Sequence, residues 1–207
     1  RVDRMLVHEG SLYAVGNFTS MGGVANTSGV ARWDGVAWHE VGGGVTNVAS
    51  NMSVAGIGLI GNDIYLGGGG GAGGLLVKDF VEQHYIVRYN IDSDTWYTLG
   101  DGVDNTVQNL FVDNNNLYVG GFISNAGGVV GANRIARWDG ENWHAFGSGA
   151  DGNVLWMTMF KGQLHIAGLF SEVDGVDGTN RLARWDGSQW HPVGQKISHV
   201  ATAGTLG

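Results

Sequence analysis

Residues 133–147, NRIARWDGENWHAFG, constrain this chain more than any other stretch, because the chain restates them. A close copy, NRLARWDGSQWHPVG, occupies 180–194, and GVARWDGVAWHEVG occupies 29–42. A blurred copy, IVRYNIDSDTWYTLG, occupies 86–100. Each copy reads as an apolar run, a polar turn on Asp-Gly or Asp-Ser-Asp, then Trp and a second apolar run. Alternating segments joined by such a turn predict a β-hairpin. Hairpins recurring at a regular interval predict a repeat architecture, in which each unit buries its apolar faces against its neighbours.

A second hairpin precedes each of these. In the first unit, apolar runs at 2–7 and 12–18 are parted by His8-Glu9-Gly10-Ser11. Later units carry IYLGG at 64–68, LYVGG at 117–121 and LHIAG at 164–168. Tyr13, Tyr65, Tyr118 and His165 mark the same point in each unit and recur at intervals of 52, 53 and 47 residues. Each unit therefore predicts four short strands, a to d. The fold expected is all-β, a β-propeller of four-stranded blades about 47–53 residues long. The units span 1–42, 43–100, 101–147 and 148–194, within one propeller domain or arc covering 1–207. Residues 195–207 align with the start of a unit and predict an extra inner strand. Four units and one strand lead us to expect part of a larger ring, and the opening at Arg1, with no leader-like segment, fits that expectation.

Composition narrows the function classes. A net charge of −8 and a pI near 5.1 argue against nucleic acid and against anionic membrane surfaces. Cysteine is absent, which excludes a disulfide framework, thiolate metal ligation and a Cys nucleophile. No apolar run reaches the length of a helical membrane span. Gly accounts for 38 of 207 residues without a collagen-like period, so it is expected in tight turns and where strands approach closely.

The glycine pair ending strand b, followed in the second unit by Tyr89-Asn90-Ile91 and Trp96, resembles the kelch type of propeller repeat. The fuller pattern, LYVGGFISNAGGVVGANRIARWDGENWHAFGSG, is similar to galactose-oxidase and kelch-type propeller repeats of secreted or surface-anchored bacterial proteins, with related repeats in fungal cortical landmark proteins. The period is too long for a WD repeat, and Asp-Gly here is the hairpin turn itself. The second unit departs from the pattern: GGGGGAGGLLVKDFVEQH precedes its strand c, and Tyr89 replaces Trp. The resemblance implies a secreted or cell-surface location. It implies no one activity, since such repeats serve many. Copper oxidases of the galactose-oxidase type need a Tyr–Cys crosslink that this chain cannot make.

Candidate binding residues follow from where loops gather. In an up-and-down blade the b–c and d–a loops emerge on one face, which collects Asp101, Asp104 and Asp151. Asp79 and His84 belong to the second unit's insertion, expected to be its distinctive element around residues 75–84. Glu172, Asp174 and Asp177 lie among glycines and would suit an oxygen-ligated calcium ion, although the spacing is not that of an EF-hand. No other cofactor is expected. His39, His144 and His191 recur in separate units and so cannot build one site. Arg32, Arg88, Arg137 and Arg184 alternate against the strand-c aromatic, which predicts contacts between blades or, alternatively, ligand binding. The Trp pairs 33/38, 138/143 and 185/190 are expected in blade packing, with sugar stacking as the alternative.

No GxxxxGK[ST] loop, GxSxG elbow or HExxH helix is present. The expected function is therefore non-catalytic: an adhesion, scaffold or binding module taking a protein or glycan ligand on one propeller face. The alternatives are a carbohydrate-binding propeller and an accessory domain of a larger secreted enzyme, with further blades or domains as partners.

Overall fold

In a computed structural model, described for residues 1–45, 53–70, 73–78, 80 and 84–194, the chain is all-β. The strands form four four-stranded sheets, each an antiparallel meander in chain order. The first sheet holds β1 (Val2–His8), β2 (Ser11–Gly16), β3 (Val30–Trp33) and β4 (Trp38–His39). The second holds β5 (Ser53–Ile60), β6 (Asp63–Gly69), β7 (Ile86–Asn90) and β8 (Thr95–Tyr97). The third holds β9 (Val107–Asp113), β10 (Asn116–Gly121), β11 (Ile135–Trp138) and β12 (Trp143–His144). The fourth holds β13 (Val154–Phe160), β14 (Gln163–Gly168), β15 (Leu182–Trp185) and β16 (Trp190–Pro192). The extra strand expected over 195–207 lies outside the described residues.

The sheets follow one another like propeller blades. β1 lies beside β5, β5 beside β9 and β9 beside β13, so the first strands of all four sheets are neighbours. One apolar cluster fills each gap. Tyr13, Val15 and Val30 of the first sheet meet Val54, Leu66 and Tyr89 of the second. Tyr65 and Ile86 meet Leu110, Leu117 and Trp138 across the next gap, and Tyr118 and Ile135 meet Met157, Leu164 and Ile166 across the last. Strand alternation is the cause: every second side chain faces the preceding sheet and the others face the following one. The Arg4 guanidinium also lies 4.9 Å from the centre of the Trp156 ring, joining the first sheet to the fourth.

Glycine sets how closely two sheets approach. A methyl group added at Gly67 would stand 2.5 Å from Val107 Cγ1, so the third sheet occupies space that any side chain there would need. In the c–d hairpins, Gly35, Gly140 and Gly187 take φ of +100°, +107° and +108°, which non-glycine residues avoid. A glycine at the first central position of a two-residue turn gives the twist a hairpin needs.

Strand d is shorter than its apolar pattern predicts. β4 and β12 contain two residues each. After β4, Val41 drops into the core at 2% exposure, and Gly42, Gly43 and Gly44 at φ +54°, +79° and +75° carry the chain off the sheet. The second apolar run is thus half strand and half plug.

Candidate binding face

The b–c and d–a loops do share one face, and backbone hydrogen bonds lace them together. Val45, Val103 and Ala150 of three successive d–a loops form bridges to Val77, Ala126 and Val173 of the b–c loop in the sheet that follows. The d–a loops also reach back to the b–c loop of the sheet they leave, as in Val45 N–H to Ser28 O and Ala150 N–H to Asn133 O, 2.7 and 3.1 Å. The loop layer is therefore continuous from sheet to sheet.

The carboxylates expected as ligand contacts divide into two groups here. Asp104 accepts from the Ser124 hydroxyl and from the backbone N–H groups of Ser124 and Asn125 at 2.7–3.0 Å. Burial works against its charged form, but the Ser124 hydroxyl and these N–H groups outweigh it and hold Asp104 below the usual carboxylate range. Asp151 accepts from Ser171 and Glu172 N–H at 2.8 and 3.0 Å, making the equivalent brace one unit later. Asp174 accepts from Ser148 N–H and its hydroxyl, both at 2.7 Å. These three carboxylates fasten the loop entering a sheet to that sheet's own b–c loop. Asp101 and Asp177 are exposed and have no such bond among the described residues.

Glu172, Asp174 and Asp177 are not gathered into a site. Among the described residues, no three His, Asp or Glu side chains converge as cation ligands. Glu172 is tied to Asp151 through its backbone, while Asp174 turns to Ser148. Asp79 lies outside the described residues. His84 is half-buried, pairs through its backbone with Leu75, and meets the Phe80 ring edge-on at 5.2 Å. The insertion is rooted in the core: Leu75 and Val77 are 0% and 2% exposed and join the cluster between the first and second sheets.

No protein-family model matches the chain, and no curated protein matches its sequence.

Many of the repeated residues outside the loops have partners within or between the sheets. Trp96, Trp143 and Trp190 send their indole N–H to the backbone carbonyls of Gly42, Leu99 and Phe146 in the preceding unit, at 2.7, 2.8 and 3.0 Å. Trp33–Trp38, Trp138–Trp143 and Trp185–Trp190 are cross-strand pairs 5.3–5.4 Å between ring centres. Among the described residues, Arg32, Arg88 and Arg184 make no hydrogen bond or ion pair to another sheet, although alternation predicted contacts between blades. Each bonds the first residue of strand b in its own sheet: Ser11, Asp63 and Gln163 at 3.1–3.2 Å.

A further device escaped the sequence reading. Asp34, Asp139 and Asp186 each cap the c–d turn by accepting two backbone N–H groups, and each also holds the Nε2 of His39, His144 or His191 at 2.5–2.6 Å. The backbone donors, then the histidine, keep these carboxyls well below their ordinary pKa. The signal was available as an Asp and a His five residues apart in three units. In the second unit Tyr97 takes the place of His.

Proposed function

We propose that this chain is a non-catalytic, kelch-like propeller, or an arc of a larger one, that works outside the cell as an adhesion, scaffold or binding module. Its ligand, a protein or a glycan, sits on the laced b–c/d–a loop face. The observation that supports this most is the bridging of each d–a loop to the b–c loop of the sheet that follows, three times in succession. Such lacing makes a rigid platform of loops with unit-specific side chains, the arrangement in which binding surfaces are built. Asp101, Asp177 and the insertion rooted by Leu75 and Val77 are the departures from repetition on that platform. A calcium ion is no part of this reading, because Glu172, Asp174 and Asp177 do not converge among the described residues and Asp174 is taken up by Ser148.

The test is a glycan array together with a displayed-peptide selection, using the intact chain and the variant Asp101→Lys/Asp177→Lys. Binding to either library that disappears in the variant supports the loop face. Binding that survives in the variant, or release of product from the arrayed glycans, overturns it.

A further inference from the structure

Beyond the loop face, the opposite edge of the sheets carries a different feature. One row of side chains runs in register across each sheet, and in the first three sheets it is directed at the following one. The rows are Leu6–Tyr13–Arg32–His39, Gly58–Tyr65–Arg88–Tyr97, Phe111–Tyr118–Arg137–His144 and Thr158–His165–Arg184–His191. In three of the four rows the arginine is engaged within its own sheet, as described above, and Arg88 also lies 4.5 Å over the Tyr97 ring. The third row differs. Asn116, the residue at the position of Ser11, Asp63 and Gln163, turns its amide to the Asn114 carbonyl at 3.0 Å. Arg137 is left without a hydrogen bond or ion pair among the described residues, beside Tyr118.

Arg137 and Tyr118 line a cleft of about 320 Å³ between the third and fourth sheets. Phe146, Met159, Leu164 and Trp185 supply its apolar walls, and His144 stands at its rim. Gly162 and Gly187 place the opening at the a–b and c–d turns, away from the laced loops. Tyr118 is 8% exposed, and its hydroxyl has no hydrogen-bond partner among the described residues. No Asp or Glu lines this cleft, in a chain whose net charge is −8. Two carboxylates lie near it: Asp113 takes a bond from Asn114, and Asp139 is occupied by its turn and His144. The equivalent cleft between the first and second sheets makes the contrast. It is lined by Glu9, Glu40 and Asp94 around an Arg32 already bonded to Ser11.

The geometry points to a binding site for a small carboxylate with a flat apolar body, its charge on Arg137 and its ring or chain against Phe146 and Trp185. A guanidinium presents a planar pair of donors that matches a carboxylate, and the free Tyr118 hydroxyl adds a third donor at the same end. A half-buried cation with no partner is a desolvation cost that such a ligand relieves. The cleft volume is at the small end of the range for ligand pockets, which suits a body the size of one aromatic ring.

The test uses 3-phenylpropionate as the probe, titrated into the intact chain by calorimetry and by protein NMR. The expected result is saturable binding, one probe per chain, with line shifts confined to the third and fourth sheets. Arg137→Gln should weaken it about tenfold or more, the loss expected for a charge-assisted pair. Arg32→Gln should leave it unchanged, and 3-phenylpropionamide should bind no better to the parent than the acid binds to Arg137→Gln. Should Arg137→Gln fail to fold, the acid-against-amide comparison on the parent decides the matter. Equal binding of acid and amide, no saturable binding, or binding that survives in a folded Arg137→Gln variant overturns the assignment.

Discussion

At the scale of residues, Asp34, Asp139 and Asp186 show how one side chain can set a turn and a strand together. Each carboxylate satisfies two turn N–H groups that would otherwise face water alone, and it orients the histidine on strand d. All three folded-state pKa values are depressed, so the stability they contribute is present above the unfolded carboxylate value near pH 4 and is lost as pH falls below it. The urea midpoint of the chain is therefore expected to fall as pH is lowered from about 5 towards 2. The triple variant Asp34→Asn/Asp139→Asn/Asp186→Asn should show a shallower fall, while Asp104 and Asp3 continue to contribute. Parallel pH profiles for parent and variant would remove the turn carboxylates from the acid response.

At the scale of elements, the link between blades is a main-chain carbonyl just past the last strand of one sheet and an indole in the next. Trp143 is 6% exposed and its N–H reaches the carbonyl of Leu99, itself a residue 1% exposed. Trp143→Phe keeps the aromatic pair with Trp138 but leaves that carbonyl with the Gly102 N–H alone, at 3.0 Å, which should cost about 0.5–1.5 kcal/mol in urea unfolding, the worth of one hydrogen bond. An unchanged midpoint would mean that water replaces the donor and that the bond is incidental. The hairpins themselves were readable from the sequence, because a strand pair and its turn involve residues only a few positions apart. The shortness of strand d was not. Its apolar run looks like strand until Val41 is seen filling the gap between two sheets.

At the scale of the whole molecule, the spacing between sheets depends on residues that have no side chain to give. Gly67→Ala should push Val107 away and destabilise the fold by about 1–3 kcal/mol, as overpacking does. Val107→Ala should make room, so the double variant Gly67→Ala/Val107→Ala is expected to lose less than the sum of the two single variants. Additive losses would show that the second and third sheets do not meet at this point.

Period, turn chemistry and alternation were enough to define four units of four strands, because each depends on neighbours close in the chain. They also placed the b–c and d–a loops on one face. Which carboxylates on that face are free was decided only by tertiary structure, since the donors to Asp104, Asp151 and Asp174 come from residues 20–26 positions away. The same holds for Arg137. Its sequence context, IARWDG, is nearly that of Arg184, LARWDG, and nothing near it in the chain distinguishes them. What separates them is the residue across the strand pair, Asn116 turned to its own loop where Gln163 turns to the arginine. A repeat specifies its backbone locally, but the partner of each charge is chosen across strands and between sheets, where the copies differ.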